Sequence, residues 1–449
     1  MAFVAIVVRV LFINLSWYSY FALIISLSQF ILLFLAIGKI IPVRYMFGSL
    51  MCLQMFIGPV LAYNGLDQYQ YEYYKMRIPE AEYFSYVIPA VLAFIAGLHV
   101  RVRGSAGETV DQHAIRILTM RRKDLPFILI VAGFLSSLIA GFFSSELAFV
   151  FYLLGNLKFI GVFILLFSNS QVKVLPLIIV YSSIIASSLN DAMFHDLLTW
   201  LLFLLSIIAI KYRPSNLVKI TGAIVFIVLA VTIQQLKASY RLAIGAKGEE
   251  TGIETFARAY EEEKSSNELF SFISLAKNNV RINQGFIITN IMKTVPRAVP
   301  FSEGAELGQI LEAALLPRIL APNKLNAGDR DIFMKYTGMS IRRGTSMGLS
   351  SIGDAYINFG IIGGCVFMFV LGLIYNYILR AFQRYSYHFP YLILFTTLVF
   401  YYPIRPDCEL QTILGHLVKS CFLIYVIFLF GRKDLFLNRK KLAEAEERQ

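Results

Sequence analysis

The sequence predicts an all-α polytopic integral membrane protein, and three observations carry that prediction. Hydrophobic residues make up 57% of the 449, with 38 Phe and 25 Tyr, and only 16% are charged. A soluble domain of this length does not have that balance. Apolar windows of about 20 residues, the length that crosses a bilayer as a helix, recur along the chain. The basic residues between these windows fall almost entirely in alternate loops.

The windows lie at 18–38, 45–63, 84–100, 125–143, 147–167, 174–190, 194–210, 218–236, 356–380, 390–402 and 411–431, giving about eleven spans. The one after Pro390 is short enough to be re-entrant. Residues 1–16 are apolar but contain Arg9, and they read as an interfacial segment without the small-residue cleavage site of a signal peptide. The chain therefore divides into an N-terminal transmembrane bundle at 1–236, a hydrophilic insert at 237–355, C-terminal transmembrane helices at 356–431 and a tail at 432–449.

One set of loops holds Lys39 and Arg44, then Arg101, Arg103, Arg116, Arg121, Arg122 and Lys123, then Lys173, then Lys211, Arg213 and Lys219, then Arg380 and Arg384. The tail adds Arg432, Lys433, Arg439, Lys440, Lys441 and Arg448, whereas the short loops of the other set hold only Lys75, Arg77 and Arg405. By the positive-inside rule the tail is expected in the cytoplasm and the insert outside it. The formal charge of +12 is then a topology signal. No nucleic-acid partner is expected, because basic and aromatic residues do not alternate on a soluble face. Cys52, Cys365, Cys408 and Cys421 have no paired spacing, which argues against a disulfide framework or a zinc site. There is no Walker lysine loop to bind ATP, and no internal repeat of the secondary-transporter kind.

The insert reads as folded. Leu307, Ile310, Leu311, Ala314 and Leu315 form one helical stripe, the pattern of a helix lying on protein or membrane, and 267–279 repeats it less cleanly. Pro296, Pro300, Pro317 and Pro322 punctuate the connections. The insert carries Arg241, Arg258, Arg281, Arg297, Arg318, Arg330, Arg342 and Arg343. Guanidinium groups stay charged and grip phosphate through paired planar hydrogen bonds. Each taken alone fits a surface ion pair better than a ligand, and Arg258 beside Glu261, Glu262 and Glu263 reads as one. Arg318, Arg342 and Arg343 differ, since they sit in Pro- and Gly-containing turns near the membrane re-entry.

None of the five histidines lies in the insert, so imidazole is not its general base; Asp329, Asp331, Asp354 and the upstream glutamates are the bases on offer. Outer loops elsewhere add Asp191, His195 and Asp196, and a cluster of Arg405, Asp407 and Glu409. Ionisable groups at membrane depth are costly, which singles out Lys158, Lys419, His195 and Asp196. The plain alternative is that the lysines snorkel and the His195–Asp196 pair satisfies itself.

Pro317-Arg318-Ile-Leu-Ala-Pro322-Asn-Lys324 is followed by Gly353-Asp354-Ala-Tyr356-Ile-Asn358-Phe359-Gly360-Ile-Ile-Gly363 and a long apolar helix. This stretch resembles the Wzy-type O-antigen and capsule repeat-unit polymerases, in which such elements close the large periplasmic loop and lead into the next span. The likeness covers the stretch at motif level and the whole chain in topology. The family more often has glutamate where Asp354 stands. Arg405 matches an arginine in the last outer loop. The spacing of an arginine eleven residues before a glycine occurs at Arg241/Gly252, Arg297/Gly308 and Arg342/Gly353, a weak signal in so Arg- and Gly-rich a loop.

The resemblance implies a GT-C-like bacterial inner-membrane glycosyltransferase that joins undecaprenyl-diphosphate-linked oligosaccharides at the periplasmic face, without metal or other cofactor. A chain-length regulator and a flippase would be its partners beside the bilayer. By the same resemblance Arg318, Arg342 and Arg405 would bind diphosphate, with Lys324 and Arg330 assisting. Asp354 would deprotonate or orient the acceptor hydroxyl, or anchor a helix start. Arg343, Arg297, Arg241, Tyr356 and Asn358 would complete the substrate site. The tyrosines of 69–74 fit a sugar-stacking rim or an interfacial aromatic belt. Two other readings stay open: an O-antigen-ligase-like transferase, expected to have a histidine in the large loop, and a non-catalytic lipid-linked glycan flippase or exporter.

Overall fold

The computed structural model describes residues 15–101, 109–143, 145–168, 173–246, 250–265, 271–316, 320–321, 324–325, 328–342 and 347–431. The first apolar residues, the basic tail, Pro317, Arg318, Pro322 and Arg343 lie outside these. Among the described residues the regular structure is helical throughout. In chain order the helices are α1 (Trp17–Ala36), α2 (Val43–Tyr63), α3 (Glu80–His99), α4 (Gln112–Arg121), α5 (Leu125–Ile139), α6 (Leu147–Phe167), α7 (Val174–Asn190), α8 (His195–Tyr212) and α9 (Asn216–Ala246). The insert contributes α10 (Ile253–Ser265), α11 (Phe272–Asn278), α12 (Gly285–Thr294), α13 (Ala305–Leu315) and α14 (Arg330–Thr337). α15 (Ser350–Ser386), α16 (Pro390–Val399) and α17 (Leu410–Gly431) follow.

Nine helices among the described residues are long and apolar enough to cross a membrane: α1, α2, α3, α5 extended to Phe142, α6, α8, α9, α15 and α17. This is the architecture of a polytopic membrane protein. The two further windows expected from sequence are shorter. α7 stops at 17 residues, and α16 opens as a 3-10 turn at Pro390 with every residue from Pro390 to Val399 buried. Burial on all sides explains why 390–399 is as apolar as a lipid-facing span.

α3 and α15 are the central pair. Gly97 and Gly372 lie where each helix touches the other's backbone, and a Cβ on either would collide with it. Small residues are what let two helices approach so closely. At the end away from the insert the C-terminal carbonyls of α3 are met by polar side chains: Asn376 Nδ2 donates to Val100 O (3.0 Å) and Gly97 O (3.3 Å), and Arg44 to Leu98 O. Cations and donors there answer the unsatisfied carbonyls and the helix dipole.

Two local departures from the α-helix fasten the insert to the bundle. Residues Leu53–Ile57 of α2 form a π turn. Main-chain oxygens along it turn outward: Gln54 O accepts from Gln284 N (3.1 Å), Met55 O from Tyr83 OH (2.9 Å) and, just beyond, Gly58 O from Asn279 Nδ2 (3.0 Å). π bulges of this kind release carbonyls for such use. In α15, Gly360 has φ 65° and ψ −157°, a backbone region reserved for glycine, with the Phe301 ring against it. The break leaves Ile357 O to accept Ser302 N at 3.0 Å.

The insert is not a solvated cap alone. Gly285 to Met292 of α12 are all buried, against α2, α3, α14 and α15. α13 rests on α17 through Ile310, Ala313 and Ala314 and turns Leu311 and Leu315 outward. A second, smaller core joins the turn after α7 to the top of α9 and to α10, through Leu189, Phe194, Ile233, Tyr240 and Ala259. α9 is otherwise bare: only 6% of its apolar window is buried.

Candidate functional site

At the insert end of the bundle three chain segments converge. The first is the turn 191–196. Phe194 packs on Phe256 and Tyr240 (ring centroids 5.4 and 6.3 Å), and Tyr240 OH donates to Leu189 O at 2.9 Å. Those contacts fix where α8 begins, and with it His195 and Asp196. The imidazole Nε2 lies 2.7 Å from Asp196 Oδ1. The second is the top of α9, where Arg241 Nε donates to Ala192 O at 3.1 Å.

The third is the turn 400–410. Trp200 stacks between Phe159 and Tyr401 (4.0 and 5.2 Å), which holds Tyr401 near Asp196, and Arg405 lies over the Tyr402 ring at 5.4 Å. Arg405 Nη2 is 3.2 Å from Asp407 Oδ2. Burial lowers the pKa of this guanidinium, and the Asp407 carboxylate outweighs it, raising Arg405 well above its ordinary value. Burial likewise opposes ionisation of Asp407, and Arg405 outweighs it, holding the carboxyl below the usual range. Lys237 is within electrostatic reach of Arg241, Arg281, Arg405 and Asp407, and Asp196 and Asp407 both feel the His195–Arg405 pair. Four cations thus gather where few carboxylates answer them.

The other face of the same turn is acidic. Glu306, Asp329, Asp354 and Glu409, with Tyr336 and Gln411, line a cavity between α13, α14, α15 and α17. Its carboxylates are occupied. Glu306 Oε1 accepts from Lys335 Nζ (2.9 Å) and Tyr336 OH (2.7 Å). Asp329 caps α14 through Asp331 N and Ile332 N. Glu409 accepts from Gly328 N (2.6 Å) and Thr412 OH (2.9 Å), and burial raises its pKa. Asp354 is buried inside α15, where Oδ2 accepts Leu410 N at 3.0 Å and so caps α17. An anion would be repelled here.

The residues singled out from sequence therefore separate. Arg241 and Arg405 come to the cationic group. Arg330 donates to Ile341 O at 2.8 Å and lies 3.6 Å from Asp331. Lys324 donates to Leu316 O at 2.7 Å, Arg297 pairs with Glu82 at 3.4 Å, and Arg342 is exposed. Tyr356 is buried between the rings of Tyr86 and Phe301 (4.9 and 5.7 Å). Asn358 Oδ1 accepts from Ser302 OH (2.8 Å) and Leu307 N (3.0 Å), while its amide donates to Asp354 O (2.8 Å). Arg318 and Arg343 lie outside the described residues. Lys237 was not among the expected ligands; its place at the junction of span and insert was the available signal. Comparisons with protein-family models, with curated proteins and with solved structures give no match.

Proposed function

We propose that this protein extends glycans carried on undecaprenyl diphosphate, transferring the growing chain from its lipid onto a sugar hydroxyl of the next lipid-linked repeat. The reading places the reaction on the periplasmic side of a bacterial inner membrane. The observation that carries it is the cationic group of Lys237, Arg241, Arg281 and Arg405 at the foot of the insert. A lipid diphosphate gains charge as its glycosidic bond breaks, and fixed cations aimed at it lower the barrier. α9, bare along its apolar length, leaves a path from the hydrocarbon to that group for a polyprenyl tail, with the sugars on the insert side. The motif resemblance at 317–324 and 353–363 supports the same reaction class.

Deletion of the gene with return of single variants tests it. Arg405→Ala is expected to abolish long-chain glycan while lipid-linked single repeats persist. Arg405→Lys is expected to recover little, since a point charge does not reproduce two-pronged phosphate contacts. Long chains at wild-type amount in Arg405→Ala cells overturn the reading.

A further inference from the structure

The cationic group accounts for a leaving anion but not for the proton that the attacking hydroxyl must lose. Asp354, the carboxylate expected for that task, has Oδ2 committed to Leu410 N and sits in the acidic cavity on the far face of the turn. The cationic side has a different carboxylate. Asp196 Oδ1 is buried and lies 2.7 Å from His195 Nε2, with the Tyr401 hydroxyl beside the same carboxylate. Arg405 Nη1 is also buried without an acceptor, its Nη2 being the atom that meets Asp407. This partnered carboxylate and an unfilled donor, brought together from α8 and from the turn before α17, are within electrostatic reach of each other. Buried polar atoms are nearly always bonded, and each exception asks for an explanation. A phosphate oxygen would give Nη1 its acceptor, and a sugar hydroxyl beside it would meet the Asp196 carboxylate.

We propose that Asp196 is the general base of the glycosyl transfer, with His195 as the proton's way out; this rests on the polymerase reading. The hydroxyl proton of the acceptor sugar passes to Asp196 Oδ1. The freed oxygen forms the new bond to the donor's anomeric carbon. The bond from that carbon to phosphate breaks, and its electron pair leaves with the lipid diphosphate, whose oxygen meets Arg405 Nη1. His195, about a third exposed, then carries the proton to water. Tyr401 stands close to the Asp196 carboxylate and Asp407 holds Arg405, so both are positioning residues.

The experiment uses the purified full chain in liposomes, supplied with lipid-linked repeats extracted from cells lacking this gene. Asp196→Asn is expected to lower kcat by roughly 10²–10⁴-fold, the usual worth of a positioned base, with KM little changed. Inorganic pyrophosphate, as a probe of the cationic group, is expected to bind wild type and Asp196→Asn equally. Asp196→Ala is expected to regain part of its rate when formate is added, a response a structural role does not give. Wild-type kcat in Asp196→Asn overturns the base alone. So do loss of rate without rescue by formate, and loss of pyrophosphate binding. No elongation by the wild-type protein overturns the polymerase reading and the base with it.

Discussion

Asn358 has its oxygen bonded to Ser302 and Leu307 and its amide bonded to the Asp354 carbonyl, so alanine there strands two donors at once. Leaving a buried polar group unpaired costs about 1–3 kcal/mol. Asn358→Ala is therefore expected to lower the melting temperature of the detergent-solubilised protein, and Asn358→Asp, which keeps the acceptor, to lower it less. An unchanged Tm in Asn358→Ala would show that the staple is not needed. Sequence reading found this residue through a motif but gave it to the substrate. The partners of its oxygen, Ser302 and Leu307, are some fifty positions away, and no spacing rule encodes that contact. The same holds for Asp354, whose carboxylate serves the start of α17 and not of α15. Glu409 gives a test by pH. Burial chiefly, with Asp329 adding, raises its pKa, against the opposing Gly328 N–H and Thr412 hydroxyl. A carboxyl raised on folding contributes stability below its unfolded pKa of about 4.3 and loses it as pH rises through the folded value. Glu409→Gln keeps the acceptor oxygen without the charge. It is expected to melt higher than wild type at pH 8 and at the same temperature at pH 4; equal melting at both would remove the argument.

Helices α3 and α15 meet where Gly97 and Gly372 leave no room for a side chain. Adding even a methyl group to such a contact costs about 1–3 kcal/mol in displaced backbone. Gly372→Ala is expected to lower the Tm and the yield of folded protein, whereas Gly222→Ala on α9, with open space around it, is expected to do neither. Comparable losses in both variants would mean that the close approach does not matter. At this scale the sequence was most informative, because a bilayer demands long apolar helices and leaves them plain to see. It misled where apolar residues serve a protein interior instead of lipid. α16 is buried in protein, and α12, whose run Gly285–Met292 is entirely covered, hid inside what read as a hydrophilic insert. Composition measures how apolar a segment is, not what surrounds it. The π turn in α2 and the break at Gly360 were equally out of view, since both exist to offer carbonyls to partners distant in sequence.

The whole molecule has two unlike ends. At one, the turns 191–196 and 400–410 meet the insert: Tyr240 joins the first to α9, and Glu409 accepts Gly328 N from the second. At the other, Arg380 lies against Val100, and Gln383 against Thr109. Among the described residues Arg44, Lys211 and Arg380 belong to this second end. His195, Asp196, Arg405 and Asp407 had been marked as members of separate outer loops; what sequence did not supply was that one cluster unites them. The charge asymmetry makes a prediction about sides that the fold alone does not. With basic loops held in the cytoplasm, a cysteine replacing exposed Glu261 in α10 should react with a membrane-impermeant maleimide in intact spheroplasts. A cysteine replacing exposed Ser215, between α8 and α9, should react only after lysis. Cys52 and Cys408 are buried, so signal from the native protein is the control for the two partly exposed thiols, Cys365 and Cys421. Labelling in the reverse order would put the cationic group in the cytosol, among nucleotide sugars, and no lipid-linked polymer could then be built at it from outside.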